Sequence, residues 1–305
     1  MVARAIRMSH RGKEELAGYL FISPWIVGFL AFTAGPMVIS LYLSMCQADF
    51  MTPTIFVGLN NYKKILFNDP LFTKSLANTV FYSFISVPLG LVVGLMIAML
   101  LNAEYFGVRL FRTAYYLPSV VSGVAVALLW TWILNPQYGI LNAGLRSLGL
   151  PQPKWLFSEE WAKPALILMS LWGAGGSMMI FLAGLRGVPQ ELYEAASLDG
   201  AGSASRFFRI TLPMITPTLF FTLVTGIIGS FQVFTAAFIM TGGGPNNATL
   251  MYVLNLYNQA FMKYHFGYAS ALAWVLLFII LLFTLLVFRS SALWVYYEAE
   301  VKVGR

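Results

Sequence analysis

Three stretches hold the side chains with which this chain could do chemistry. Trp172-Gly173-Ala174-Gly175-Gly176-Ser177 and Ser230-Phe231-Gln232-Val233-Phe234 place hydroxyls, an amide and aromatic faces inside long apolar runs. The third, residues 194–217 (EAASLDGAGSASRFFRITLPMITP), is the one long polar-and-small segment on its side of the chain. Gln232 is an uncharged donor and acceptor, costly against lipid, so it should point inward. Trp172 and Ser177 offer a ring face and a hydroxyl, while Gly173, Ser230, Phe231 and Phe234 complete the two stretches. Such groups can hydrogen-bond and stack on a neutral polyhydroxylated solute. The same residues also suit close helix packing, and Gly90-Leu-Val-Val-Gly94 reads wholly that way. Enzyme chemistry finds no support. There is no GxxxxGK[ST] phosphate loop and no CxxC, HExxH or GxSxG, and His10 and His265 both lie in loops. No metal ligand set or bound cofactor is expected.

The elements that must position these stretches follow from composition. The chain is 59% hydrophobic and 10% charged with mean hydropathy +0.74, whereas soluble domains carry roughly 25% charged residues. This is a multi-spanning membrane protein. Six apolar runs, about 16–45, 76–101, 114–134, 165–185, 212–240 and 268–288, are each long enough to cross a hydrocarbon layer about 30 Å thick. Pro24 and Pro36 lie in the first and predict a kink. None of the six contains Asp, Glu, Lys, Arg or His, which removes the intramembrane relay of proton-driven carriers and the arginines of voltage sensors. Of the 19 Lys and Arg, 12 fall with the N-terminus on one side and 7 on the other, a bias that puts both termini in the cytoplasm. Arg4, Arg7, Lys302 and Arg305 belong to the cytoplasmic set. The loop at 186–211 is then cytoplasmic too. The net charge of +7 and pI near 9.5 follow from this distribution, and no nucleic-acid partner is expected. The long apolar run after the basic start argues against a cleavable signal peptide. A lone Cys46 excludes a disulfide framework.

Inside the cytoplasmic loop, Val188-Pro189-Gln190-Glu191 predicts a helix start with Pro189 at the first helical position and Glu191 at the positive end of the dipole. Leu192, Ala195, Ala196 and Asp199 continue at helical spacing, and Gly200 stops the helix in a left-handed conformation. The alanine pair lets another surface approach the backbone. A second segment, 205–210, carries Phe207, Phe208 and Ile210 as apolar anchors. Composition alone leaves two uses open, docking of a partner or a fold along the headgroups.

The order Glu194-Ala195-Ala196, Asp199-Gly200-Ala201, Phe207, Ile210, Leu212-Pro213 and Pro217 resembles the EAA loop of ABC importer permeases of the carbohydrate-uptake group. Thr241-Gly242-Gly243-Gly244-Pro245 with Tyr257 and Ala260-Phe261 is similar to the turn after the fifth span in sugar permeases, and Asn60 with Tyr62 to that group's Asn-Tyr element. Ala204 and Ser205 depart from the aromatic and glutamine common there. The resemblance implies a coupling helix, with Glu194, Ala195, Ala196, Asp199 and Gly200 seated in an ATP-hydrolysing subunit. It also implies a second homologous permease subunit, two ABC ATPase subunits that hold the ATP-Mg, and an extracytoplasmic solute-binding protein that delivers a sugar.

The expected fold is therefore an all-α membrane protein of six transmembrane helices, the type I ABC importer permease fold. It would comprise a cytoplasmic tail at 1–15, a permease domain at 16–288 and a second cytoplasmic tail at 289–305, in a prokaryotic cytoplasmic membrane. Import of glycerol phosphate or another polar solute, and a passive channel or facilitator, remain as alternatives.

Overall fold

The computed structural model describes residues 10–49, 52–103 and 105–296. Arg4, Arg7, Lys302 and Arg305 lie outside the described residues, as do the outer parts of the two tails.

In chain order the helices begin with α1 (His10–Phe29), α2 (Gly35–Ser44), α3 (Asn60–Asn68), α4 (Pro70–Asn102), α5 (Val108–Val120), α6 (Gly123–Ile133), α7 (Ile140–Ser147) and α8 (Glu159–Trp172). They continue with α9 (Gly175–Arg186), α10 (Gln190–Leu198), α11 (Ser203–Arg206), α12 (Leu212–Met214), α13 (Thr216–Phe231), α14 (Thr235–Met240), α15 (Tyr252–Tyr257) and α16 (Phe266–Ser291). Among the described residues, extended pairing is confined to a two-residue antiparallel ribbon, β1 (Cys46–Gln47) with β2 (Ile55–Phe56), and a single bridge between Asp49 and His265. Four stretches, Ala17–Ser44, Pro70–Asn102, Thr216–Met240 and Phe266–Ser291, are long and apolar enough to cross a bilayer, and two bent pairs raise the number to six if each is one crossing.

The bends correct the expected spans. The run at 114–134 is not one straight crossing: α5 starts six residues earlier, takes in Arg109 and Arg112, and meets α6 at 100°. Pro118 removes a backbone donor and Val121 is extended, so the helix cannot continue. The fourth run bends by 47° between α8 and α9, at the glycines that the sequence marked. The first run is interrupted by a π-turn, Leu30–Ala34, just before Pro36, which has no N–H to lose.

The chain divides into two compact units, and each is described by itself. The first comprises residues 1–65 and 259–274. In it the Asn61 amide donates to the carbonyls of Ser44 and Cys46, both at 2.9 Å, and the Tyr62 and Ser44 hydroxyls meet at 2.7 Å. Asn61 and Tyr62 thus staple the end of α2, whereas Asn60, the asparagine singled out from the sequence, starts α3. Trp274 Nε1 donates to Ser40 Oγ at 3.0 Å, and Cys46 is fully buried.

The second unit, residues 66–258 and 275–305, is organised on α4. Asp69 caps that helix by accepting from Leu71 N at 2.9 Å, Pro70 occupies its first turn, and Arg112 Nη2 closes its far end on Leu101 O at 2.7 Å. Its 33 residues span about 50 Å, more than the hydrocarbon thickness. Two apolar clusters grip it. One gathers Tyr82, Leu134, Leu166, Met251 and Leu254; the other gathers Leu95, Leu101, Phe181, Leu185 and Ile215. At the α4 N-terminus, Asn78 Nδ2 donates to Asn247 O (2.8 Å) and Leu250 O (3.1 Å), and Thr79 Oγ1 accepts from Tyr252 N (2.8 Å). These bonds hold the turn after α14, where Thr249 Oγ1 donates to Gly244 O at 2.7 Å.

Candidate functional site

Between the two apolar clusters, at mid-length of α4, lies a cleft of about 310 Å³. Its walls mix small or hydroxylated residues (Tyr82, Ser86 and Gly90 from α4, Ser170, Gly173 and Ser177 around the α8–α9 bend, and Thr222, Gly226 and Ser230 from α13) with the apolar side chains of Val87, Leu91 and Val233. Two of these sets recur every four residues, the spacing of one helix face. Among the described residues, no Asp, Glu, Lys, Arg or His lines the cleft. Four of the hydroxyls are oriented by their own helices. Ser170 donates to Ile167 O (2.7 Å), Ser177 to Ala174 O (2.9 Å), Thr222 to Thr218 O (2.8 Å) and Ser230 to Ile227 O (2.9 Å). With their hydrogens committed, they present lone pairs to the cleft, an acceptor-rich wall for a ligand that donates O–H groups.

The sequence-selected residues divide. Gly173, Ser177 and Ser230 line the cleft. Trp172 stands 6.0 Å edge-on to Trp130, and Phe234 joins Phe238 (5.1 Å) and Tyr257 (5.1 Å) in an aromatic group. Phe231 is buried against Phe283 at 5.2 Å, away from the cleft lining. Gln232 is exposed at the break between α13 and α14. Tyr82, Ser86, Ser170 and Thr222 went unselected, although the four-residue recurrence of small and hydroxylated residues in α4 and α13 was a legible signal. The Gly90–Gly94 pair is also split. Only Gly94 packs: Ser177 Cβ lies 3.2 Å from where a Cβ on Gly94 would sit, and Ser177 Oγ is nearer still. Gly90 has open space and faces the cleft.

The polar loop folds as expected in outline. Pro189 is the N-cap rather than the first helical residue, with ψ 131°, and α10 begins at Gln190. Gly200 has φ +77°, the left-handed region, and ends the helix in a Schellman motif. Ala201 N donates to Ala196 O at 2.8 Å and Gly200 N to Ser197 O at 3.1 Å. Glu194, Ala195 and Asp199 are exposed and Ala196 half-buried. Leu198, 91% exposed, stands beside them as an apolar point that sequence reasoning passed over. Of the three expected anchors, Phe207 and Ile210 pack on the cluster around Ile215, but Phe208 is 65% exposed. The missing anchor is Tyr193, which packs on the same cluster and hydrogen-bonds Thr211 Oγ1 at 2.9 Å. Arg206 Nη1 reaches Ser197 Oγ at 3.1 Å and ties the two loop segments together.

A chain of bent apolar helices with a capped, exposed loop helix and an uncharged cleft is built to pass a solute, not to transform one. Residues 79–294 match the family model described as the binding-protein-dependent transport system inner membrane component, and the chain belongs to that family, the ABC importer permeases. It is a multi-pass inner-membrane transport component. It is 46% identical over 94% of both chains to the probable ABC transporter permease protein YesP of Bacillus subtilis. It is 34% identical to the lactose transport system permease protein LacF of Rhizobium radiobacter, covering 95% of this chain and 99% of that one. Its fold is similar to a chain of the bacterial alginate ABC transporter solved with an alginate pentasaccharide-bound periplasmic protein. There the TM-score is 0.81 at 26% identity, over 92% and 95% of the two chains. Family membership sets aside the passive-facilitator alternative.

Proposed function

We propose that this permease imports a neutral sugar or oligosaccharide handed over by an extracytoplasmic binding protein. One observation carries the reading: a cleft at mid-length of α4, lined by hydroxyls, glycines and a few aliphatic side chains and, among the described residues, by no ionisable group apart from Tyr82. A sugar brings many O–H donors and no charge, and finds acceptors already aimed. Glycerol phosphate would need cations that this wall lacks. Relatives whose names specify lactose or arabinooligosaccharides point the same way, whereas the similar alginate importer, whose solute is an acidic polysaccharide, supports the coarser reading of a carbohydrate.

Both termini and α10 then face the cytoplasm. Glu194, Ala195, Ala196, Asp199 and Gly200 seat on one of two ABC ATPase subunits, which hold the ATP-Mg, and a second homologous permease completes the pathway. ATP favours the closed ATPase dimer. That differential affinity shifts the permease pair toward the outward-open state. Gly173, Ser177 and Ser230, with Tyr82, Ser86, Ser170 and Thr222, form this chain's share of the solute path, and Trp172, Gln232 and Phe234 lie close to it in sequence. The test is ATP hydrolysis by the assembled complex in nanodiscs with a panel of loaded binding proteins. Stimulation by sugar-loaded proteins supports the reading. Stimulation only by a protein loaded with an anionic or amino-acid solute refutes it.

A further inference from the structure

The fifth apolar run is interrupted at its foot. A π-turn, Phe207–Thr211, leads into the three-residue α12 and a break at Ile215 before α13 begins. Pro213 and Pro217 each lack an N–H, so this stretch has fewer helical bonds and bends easily. Two buried threonines bracket it. Thr211 receives the loop helix through Tyr193, at 2.9 Å between hydroxyls. Thr216 donates to Pro213 O at 2.6 Å and accepts the backbone N–H of Tyr296 at 2.9 Å.

Tyr296 reaches Thr216 because the chain folds back after α16. Val295 N donates to Ser291 O at 2.8 Å, and Trp294 Nε1 to Ser290 Oγ at 3.2 Å. Val295 is buried. The Trp294 ring stands 6.0 Å from that of Phe220, which in turn meets Phe288 of α16 at 4.9 Å. A backbone hydrogen bond and an aromatic triad therefore tie the foot of α13 to the end of α16. The same α13 carries Thr222, Gly226 and Ser230 of the cleft wall.

We propose that residues 294–296 form a clasp, with Thr216 as its positioning residue, that fixes the foot of α13 so that movement of α10 reaches the cleft wall instead of being absorbed at the Ile215 break. The proposal rests on the coupling role given to α10 above. A displacement entering at Thr211 meets a segment without a full ladder of helical bonds. If the foot of α13 is free, that segment bends and the motion ends there. If the foot is held, the only remaining response is tilting of α13, and the cleft moves with it.

The test uses the complete complex in proteoliposomes. Thr216→Val keeps the side-chain shape and removes both the acceptor for Tyr296 and the donor to Pro213; Thr216→Ser restores them. Trp294→Ala removes the ring contact without touching Thr216. The readouts are solute taken up per ATP hydrolysed, basal hydrolysis, and hydrogen exchange across 207–220. We expect uptake per ATP to fall about fivefold to thirtyfold in Thr216→Val, the range that the loss of one to two hydrogen bonds of about 1 kcal/mol each allows, with Thr216→Ser near wild type. Trp294→Ala should behave like Thr216→Val, with faster exchange across 207–220 in both. Unchanged uptake per ATP in Thr216→Val and Trp294→Ala overturns the clasp. A wild-type complex that responds to no sugar-loaded binding protein overturns the substrate reading instead. The clasp is then judged on exchange, and unchanged exchange in both variants overturns it.

Discussion

Replacement of Gly200 is the sharpest probe of the loop helix. The residue sits at φ +77° and an added Cβ would meet nothing within 4 Å, so a side chain there has room and only the backbone objects. For an L-residue the left-handed conformation costs about 1–2 kcal/mol, and a β-branched one stands at the upper end of the roughly 1–3 kcal/mol range for strained backbone. Asn tolerates the conformation best among non-glycine residues. The series Gly200→Asn, Gly200→Ala, Gly200→Val is thus a ladder of backbone strain at constant contact. If the Schellman bonds from Ala201 N and Gly200 N are what hold the end of α10 in shape, the strain appears as lost coupling. At about 1.4 kcal/mol per tenfold, Gly200→Ala should lower uptake about fivefold and Gly200→Val about thirtyfold or more, with Gly200→Asn nearly silent. The assay is sugar uptake by reconstituted complex, normalised to assembled protein, with binding-protein-stimulated ATP hydrolysis alongside. Uptake by Gly200→Val equal to that of wild type would refute the reasoning. So would a series that follows side-chain volume, with Asn as damaging as Val, because that would make the cause a clash with the partner instead of backbone strain.

Four further outcomes are expected. Gly94→Ala should destabilise the subunit by about 1–3 kcal/mol through overpacking on Ser177, read as a lower unfolding temperature, and Ser177→Ala in the same chain should recover part of it. Asn78→Ala should cost more stability than Lys163→Met in the same melt. It leaves the carbonyls of Asn247 and Leu250 without their donor, about 1–3 kcal/mol in a buried setting, whereas Lys163→Met removes one 3.2 Å bond and a ring contact while relieving a half-buried charge. Ser230→Ala should raise the KM for uptake several-fold at unchanged expression by removing an acceptor from the cleft wall, and an unaltered KM would place the solute elsewhere. Gln232→Leu, at an exposed break outside the cleft lining, should leave the KM for uptake and the assembly unchanged; an altered KM or selectivity would put Gln232 on the solute path, and a loss of assembly would assign it to packing.

Much of this protein was written in one dimension because the bilayer imposes one-dimensional rules. Charge-free runs of the right length announce crossings, and Pro36 and the glycines at 173–176 mark where helices break. A glycine after an alanine-rich turn stops α10 by local backbone chemistry, so Gly200 was legible without any neighbour. The same locality explains the errors. Whether an apolar run is straight or turns through 100°, as at Val121, depends on what each half packs against. Phe231 and Ser230 are adjacent, yet one is buried on Phe283 and the other opens onto the cleft, because successive residues on a helix point about 100° apart and only the neighbouring helices decide which direction is inside. Likewise nothing near residue 216 in the chain announces Tyr296, 80 positions away. Local rules determined where helices run and stop. The packing of α4, α9 and α13 decided which of their faces enclose a solute path, since that is a property of several surfaces meeting and belongs to no single stretch of chain.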